Sequence, residues 1–250
     1  MILEIGELDS GGGVRLTGAR ADHLLGVLRV APGQVVRVGL LDGPSGLATV
    51  RSTAEGTVEL MCAFDRTAEA RPRVDLLLAV PRPKVMRRLW AQLAALGVGR
   101  IILTNAERVE RPYFDTHVLT ADCYRPLLIE GLQQARDTHL PKVSIHRRFK
   151  VLVEDELDGL SDAKLRLVAD PSGTTAVSDA VRAFANEKSA RLLIAIGPEG
   201  GWNAFELDLL DAHGFTRVGM GSRTLRSDTA CVALLSLVHD AIARGPGEPA

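Results

Sequence analysis

From residue 74 onward, short apolar segments alternate with amphipathic ones, and this alternation limits the possible folds more than any other feature of the chain. Strands joined by helices pair in parallel, because each helix returns the chain to the same end of the sheet. The pattern predicts an α/β fold with a largely parallel sheet and helices on both of its faces. Strands are predicted in DLLLAV, RIILT, PKVSIH, KLRLVAD, RLLIAI and FTRVGM.

Helices are predicted in the segments between these strands. They lie in VMRRLWAQLAALGV, ADCYRPLLIEGLQQAR and around residues 175–186, 203–213 and 228–243. The first has a continuous apolar face, made of Met86, Leu89, Trp90 and Leu93. Gly97 follows it as a C-terminal cap.

Residues 1 to about 65 have a different pattern, with short Val- and Leu-rich runs separated by turn residues. Apolar runs flank the turn at Asp42–Gly46, which is typical of a β-hairpin. One short helix is predicted in RADHLLGVLRV and another strand in TVELMCAF. The polar segment DRTAEARPRV indicates a connector, so we predict a small β domain over residues 1–70 and an α/β domain over residues 74–245.

Two unusual loops follow predicted strands, at the sheet edge where α/β proteins bind ligands. Gly197–Trp202 (GPEGGW) contains three glycines, which let backbone groups approach a ligand closely. Asn203 and Glu206 then form a predicted capping box at the start of the next helix. The second loop, Gly219–Ala230, leads into the last helix.

Several other kinds of site lack their sequence signatures. The chain has no G-x-G-x-x-G dinucleotide fingerprint and no G-x-S-x-G nucleophile elbow. Its three cysteines form no C-x-x-C pair and no zinc-like spacing, so no metal is expected. No apolar run is long enough for a membrane helix, and the two glutamates near Met1 are atypical of a signal peptide. These features together predict a cytoplasmic protein.

The net charge of −1 is unevenly distributed along the chain. Residues 75–150 contain 13 basic and 7 acidic side chains, whereas residues 151–250 contain 9 and 15. Such asymmetry is typical of a protein with one surface that faces a polyanion, although solvated helix faces would produce it equally well.

Taken together, the two loops resemble the SPOUT superfamily and, more closely, the RsmE family of 16S rRNA uracil-N3 methyltransferases. In this family a GPEGG turn is followed by a G-x-R-x-L-R-x-[ED]-T-A segment, which here ends in Asp228, Thr229 and Ala230. RADHLLGVLR resembles the family's H-x-x-x-V-L-R signature, and GLQQARDTHLP resembles its E-Q-x-x-R-x-x-x-P segment. Asp228 replaces the usual Glu, Gln133–Gln134 replaces Glu–Gln, and PRPKVMRRLW lacks the family's acidic residue.

The resemblance implies a C-terminal trefoil knot, an exception to the rule that chains do not thread loops, and an N-terminal PUA-like β-barrel that binds RNA. It also implies the cofactor S-adenosylmethionine (SAM), a homodimer, and 16S rRNA of the small ribosomal subunit as substrate. The implied SAM-binding residues are Ile196, Gly197, Pro198, Glu199, Gly200, Gly201, Gly219, Met220, Gly221, Leu225, Arg226, Thr229 and Ala230.

Methylation of uracil at N3 requires that the N3 proton be lost and that negative charge on O2 and O4 be stabilised. A cation near those oxygens lowers the barrier. Arg226 is the first candidate and Arg223 the second, whereas a salt bridge or a phosphate contact would explain either residue equally well. Asp228 is a candidate base that is equally suited to capping the last helix.

Binding of RNA requires phosphate contacts, for which basic residues of the middle segment and of the N-terminal helix are candidates. They are Arg20, Arg29, Arg82, Lys84, Arg87, Arg88, Arg136, Lys142, Arg147 and Arg148. Three alternative functions stay open. The first is a SPOUT enzyme that methylates a ribose 2′-hydroxyl of tRNA or rRNA, and the second is a non-catalytic RNA-binding assembly factor. The third is a dinucleotide-dependent oxidoreductase, which the missing fingerprint disfavours.

Overall fold

In the computed structural model, the described residues are 1–64, 70–184, 187, 189–221 and 223–244. The chain divides into two compact units. The first consists of Met1–Arg71 and Leu132–Leu140, and the second contains the remainder. The division after Arg71 falls within the connector segment, of which residues 65–69 lie outside the described part. The assignment of Leu132–Leu140 to the first unit is not predicted by the sequence pattern.

The first unit is built on a five-stranded sheet in the order β1-β3-β4-β5-β2. Strand β1 pairs in parallel with β3, and the other pairs are antiparallel. The β3–β4 pairing matches the predicted hairpin around Asp42–Gly46. The strands are β1 (Ile2–Leu3), β2 (Gly13–Thr17), β3 (Val35–Leu40), β4 (Ser45–Ala54) and β5 (Thr57–Ala63).

The helix predicted in RADHLLGVLRV is present but is not a plain α-helix. It consists of α1 (Gly18–Asp22) followed by a π-helical segment over His23–Val27. The wider turn is closed by the Leu28 N–H, which donates to the His23 carbonyl at 3.1 Å. Such i to i+5 bonding cannot be deduced from apolar spacing, because the apolar residues repeat as they would in an α-helix.

The second unit contains a seven-stranded sheet in the order β10-β12-β9-β11-β6-β7-β8, and all of its pairings are parallel. The predicted α/β fold with a largely parallel sheet is therefore confirmed. The short strand β10 was not predicted, and its two residues lie at the start of the segment around 175–186 that was predicted as a helix. The strands are β6 (Val74–Ala79), β7 (Val98–Thr104), β8 (Lys142–His146), β9 (Leu165–Ala169), β10 (Thr175–Ala176), β11 (Leu192–Ile196) and β12 (Phe215–Gly219).

Helices flank this sheet, and those predicted between the strands are present. They are α2 (Pro83–Ala95), α3 (Ala121–Ala135), α4 (Phe149–Val151), α5 (Leu157–Leu160), α6 (Val177–Phe184), α7 (Ala204–Ala212) and α8 (Ser227–Arg244). The predicted apolar face of α2 is fully buried, and Gly97 follows the helix with φ +72°. Helices α4 and α5 were not predicted, because they are one-turn segments separated by a π-helical turn at Leu152–Glu156. Residues 185 and 186 of the predicted 175–186 helix lie outside the described residues.

None of the helices in the described part of the chain combines the length and the apolar character that crossing a membrane requires.

Candidate functional site

A pocket lies at the carboxyl edge of the second unit's sheet, where β12, β9 and β11 are neighbours. The loops that follow these three strands surround it, and the first turns of α8 complete its wall. Its cavity volume is about 110 Å³. The position is the one expected for a ligand in a parallel α/β sheet.

Most of the residues predicted to bind a cofactor line this pocket. Four others do not: Gly200, Arg226 and Thr229, which were predicted to bind cofactor, and Asp228, predicted to be catalytic. The residues that do are Ile196, Gly197, Pro198, Glu199, Gly201, Gly219, Met220, Gly221, Leu225 and Ala230, together with the predicted catalytic residue Arg223.

The sequence interpretation missed one complete wall of the pocket. Ala169, Asp170 and Pro171, which follow β9, line it beside Trp202 and Leu234. A signal for this wall was present, since an Asp-Pro-Ser-Gly turn directly follows a predicted parallel strand. All parallel strands end at the same edge of their sheet, so this turn is expected at the same edge as the two glycine-rich loops.

Gly219 allows two parts of the wall to approach each other through their backbones. A Cβ at position 219 would lie 2.5 Å from the carbonyl oxygen of Gly173. Conversely, a Cβ at position 173 would lie 2.6 Å from the carbonyl carbon of Val218. The Asp170 N–H donates to the Val218 carbonyl at 3.0 Å, which holds the two segments together. The end of β12 and the turn after β9 thus fit only because both positions are glycine.

Gly200 is a glycine for a different reason from the predicted one. A Cβ at this position would lie 2.8 Å from Cδ of Arg108, whose guanidinium donates to the Gly200 carbonyl and, at 3.4 Å, to the Gly201 carbonyl. Arg108 therefore lies across the GPEGG loop and holds it in place by hydrogen bonds to the carbonyl groups of the loop. The residue makes room for a protein side chain, and it is not part of the pocket wall.

The predicted capping box at the start of α7 is present and also anchors a second loop. The Glu206 N–H donates to Asn203 Oδ1 and the Asn203 N–H donates to Glu206 Oε2, both at 2.8 Å. Glu206 is buried, and its other oxygen accepts the Glu107 N–H at 2.7 Å. The loop that carries Arg108 is thus fastened to the helix that follows GPEGGW.

Trp202 lies directly beneath Gly197. A Cβ at position 197 would lie 3.1 Å from both Cδ1 and Nε1 of the indole. The ring packs against Phe149, with centroids 5.3 Å apart, and Trp202 is only 5% exposed. Its Nε1–H has no hydrogen-bond partner among the described residues. A buried donor without a partner is rare in folded proteins, and this one belongs to a residue that lines the pocket.

Comparison with known proteins identifies the family. Residues 68–239 match the model of the RNA methyltransferase domain. Ribosomal RNA small subunit methyltransferase E of Treponema pallidum is 31% identical over 226 residues, which cover 88% of this chain and 82% of that protein. The chain belongs to the ribosomal RNA small subunit methyltransferase E family. The resemblance stated from the loop sequences is therefore confirmed.

Further relatives of this methyltransferase family agree along most of the chain. The protein of the same name from Synechocystis is 28% identical, covering 90% of this chain and 72% of that protein. Two solved structures have the same fold. Ribosomal RNA small subunit methyltransferase E from Neisseria gonorrhoeae, bound to SAM, gives a TM-score of 0.74 at 20% identity and covers 96% of each chain. A Legionella pneumophila protein in complex with SAM gives 0.73 at 21% identity, covering 96% of this chain and 97% of that one.

The three catalytic candidates of this family member occupy different environments. Arg223 is exposed and lines the pocket, and Arg226 is exposed outside it. Asp228 forms an ion pair with Arg88 at 3.0 Å and accepts the Thr229 N–H at 2.9 Å in the first turn of α8. This carboxylate therefore stabilises the start of the helix, where negative charge is favourable.

The basic residues predicted to bind RNA are divided between the two units. Arg20, Arg29 and Arg136 belong to the first unit and the other seven to the second. Three of the ten are already ion-paired: Arg20 with Glu7, Arg88 with Asp228, and Arg147 with Asp115.

Proposed function

We propose that this protein is a SAM-dependent methyltransferase that methylates N3 of a uridine in the 16S rRNA of the small ribosomal subunit. The observation that supports it best is the pocket at the carboxyl ends of β12, β9 and β11, built from the two loops that carry the family's motifs. The relatives' names and the SAM-bound structure from Neisseria gonorrhoeae support the same activity.

The residues that line the pocket suit the chemistry of SAM. Glycine backbones form two of its walls, which favours recognition by main-chain N–H and C=O groups. Ile196, Leu225 and Leu234 provide apolar surface for an adenine ring. The indole N–H of Trp202, which has no partner among the described residues, is a further donor at this site. When bound, SAM supplies an electrophilic methyl group.

For catalysis, the target uracil must reach the pocket. A cation there can stabilise the negative charge that develops on the uracil oxygens. Arg223 lines the pocket and Arg226 does not, so we assign Arg223 to the uracil oxygens and Arg226 to binding of the surrounding RNA. Asp228 is assigned to capping α8, because Arg88 and the Thr229 N–H already bind its carboxylate. Positioning of the uracil N3 against the SAM methyl group then contributes much of the rate acceleration.

The same proposal includes the family's architecture. Residues 74–245 are assigned to a SPOUT domain whose C-terminal part forms a trefoil knot, and residues 1–70 to a PUA-like barrel that binds RNA. A homodimer is supported by large apolar side chains left exposed in the second unit, among them Phe205, Val232 and Leu237. Cytoplasmic location is supported by three cysteines that are all free thiols.

The decisive experiment is methylation of small-subunit rRNA with labelled SAM, followed by digestion to nucleosides. The expected product is 3-methyluridine. Label in a 2′-O-methylated nucleoside would indicate ribose methylation instead. SAM binding without transfer to any rRNA preparation would indicate an assembly factor, and the proposed activity would then be wrong.

The role of Arg223 is tested by Arg223→Ala beside a matched control, Arg182→Ala, which removes an arginine of the same unit away from the pocket. Loss of a donor that stabilises developing charge commonly lowers kcat by about 10²-fold or more. We expect that loss for Arg223→Ala, with a much smaller change in SAM affinity, and wild-type turnover for the control. Normal turnover of Arg223→Ala at saturating RNA would contradict the assignment.

A further inference from the structure

The first unit contains a cleft whose lining shares no residue with the candidate cofactor pocket. It lies between strands β3 and β4 and the segment that follows helix α3. Its cavity volume is about 480 Å³, within the range of about 300–1,000 Å³ found for ligand sites.

The walls of this cleft are fixed by a set of hydrogen bonds between Asp42–Gly43 and the segment after α3. The Asp42 N–H donates to the Thr138 carbonyl and Thr138 Oγ1 donates to the Gly43 carbonyl, both at 2.7 Å. The Leu140 N–H donates to Asp42 Oδ1 at 3.2 Å. Gly39 completes the fit, since a Cβ there would lie 2.5 Å from Cγ2 of Thr138. The cleft is therefore part of the folded unit.

Two arginines line the cleft, Arg37 on β3 and Arg136 just after α3. Both are exposed, and neither guanidinium has an ion pair or a hydrogen bond within the part of the chain that the structure describes. One carboxylate, that of Asp137, also lines the cleft. Its Oδ1 already accepts the Thr138 N–H at 2.6 Å and contacts His139 Nδ1 at 3.0 Å. Two guanidinium groups therefore face the cleft beside a single carboxylate, and the net charge of its side chains is positive.

The backbone at Arg136 supports a functional reason for its side chain. The residue follows the last turn of α3 with φ +60°, in the left-handed region. Glycine is the residue usually found at this position after a helix, because a side chain there is strained. Arginine is less favourable than glycine in this conformation, and we take this cost as support for a binding role of the guanidinium.

We propose that this cleft binds a single-stranded segment of the rRNA substrate through its phosphates, with Arg37 and Arg136 as the phosphate ligands. The proposal rests on the proposed function, since it supplies a binding site for the same RNA. Guanidinium groups match the geometry of phosphate oxygens through paired hydrogen bonds. Gln133, which also lines the cleft, offers an amide for the edge of a base.

The test compares an Arg37→Ala/Arg136→Gly variant with a matched control, Arg15→Ala/Arg51→Ala. The control removes two exposed arginines from the same unit and away from the cleft. Binding is measured over a range of salt concentrations with a fluorescent oligouridylate of about 12 nucleotides, within the range of single-stranded sites. Each phosphate that the protein no longer neutralises makes the slope of log K against log[salt] shallower by about 0.7.

Removal of both guanidinium groups should therefore reduce the slope by about 1.4 and weaken binding about 25-fold at 0.1 M salt. In the rRNA methylation assay, KM for RNA should rise while kcat at saturating RNA and SAM affinity stay unchanged. The melting temperature should stay the same or rise, because glycine relieves the strain at position 136. Arg37→Ala alone should give about half of the change in slope.

The proposal is overturned if the double variant binds RNA with the affinity and salt slope of the control. It is also overturned if inorganic phosphate or a uridine mononucleotide binds the cleft as tightly as the oligonucleotide, since the site would then serve a free anion. The absence of any rRNA methylation by the wild type would contradict the proposed function and would leave the RNA-binding comparison to decide this inference separately.

Discussion

Replacement of Gly219 by alanine is expected to push apart two segments that form the wall of the candidate cofactor pocket. The new Cβ would lie 2.5 Å from the Gly173 carbonyl oxygen. Real Cβ atoms essentially never approach another heavy atom within 3.0 Å, so the two backbones must separate by at least 0.5 Å. Neither side can rotate away, because both contacting groups belong to the main chain.

This separation weakens the interactions that hold the wall together. The Asp170 N–H to Val218 carbonyl bond, 3.0 Å long, would lengthen to about 3.5 Å, the limit of hydrogen bonding. Strand β10 pairs with β12 at Val218 and Gly219 and would shift as well. Overpacking of this kind commonly costs about 1–3 kcal/mol. We expect a decrease of that size in the free energy of unfolding.

Affinity for SAM should fall at least about tenfold, equivalent to about 1.4 kcal/mol, because the loop after β12 forms part of the pocket wall. Calorimetric titration with SAM and urea denaturation measure the two effects. Gly173→Ala should act in the same direction. Gly159→Ala serves as the control, since its Cβ would enter open space within a helix, and stability should be unchanged or higher by about 0.5–1 kcal/mol.

The reasoning is refuted if Gly219→Ala binds SAM as tightly as the wild type and unfolds at the same urea concentration. Equal losses for Gly159→Ala would also contradict it, because the effect would then not depend on the close backbone approach.

Three further predictions concern other parts of the second unit. Arg108→Ala removes the guanidinium that fastens the Gly200 carbonyl and should weaken SAM binding about tenfold by calorimetry, with partial rescue by lysine. Burial lowers the pKa of His239 below 6.5, so on acidification the unfolded chain binds a proton at this residue before the folded protein does. The free energy of unfolding should therefore fall as pH decreases below 6.5, by at most about 1.4 kcal/mol per pH unit. Urea titrations of His239→Gln should show that this dependence is lost. Burial raises the pKa of the Cys231 thiol to about 12, so iodoacetamide at neutral pH should modify partly exposed Cys123 and leave Cys231 intact until unfolding, as peptide mass mapping would show.

Much of the second unit was predictable from local pattern. Apolar runs identified its principal strands, and helical spacing identified the buried face of α2. The capping box of Asn203 and Glu206 was predicted and is present. These features depend on residues within a few positions of one another, which is why a sequence pattern reveals them.

Other features were missed because the sequence pattern contains no signal for them. The π-helical turn after α1 and the short helices α4 and α5 have no distinct apolar period. The assignment of Leu132–Leu140 to the first unit depends on hydrogen bonds from Thr138 and Leu140 to residues almost 100 positions away. No propensity within that segment contains this information.

The sequence by itself determined the family, the parallel α/β fold and the two loops that line the pocket. These features depend on local periodicity and motif spacing, which involve residues close to one another in the chain. Only the tertiary structure decided what each glycine and each charge does. Gly200 accommodates Arg108, Gly219 faces Gly173, and Asp228 pairs with Arg88 across 140 positions of sequence. The physical reason is that steric fit and ion pairing depend on which distant atoms the fold brings within a few ångströms, and composition or spacing does not specify those partners.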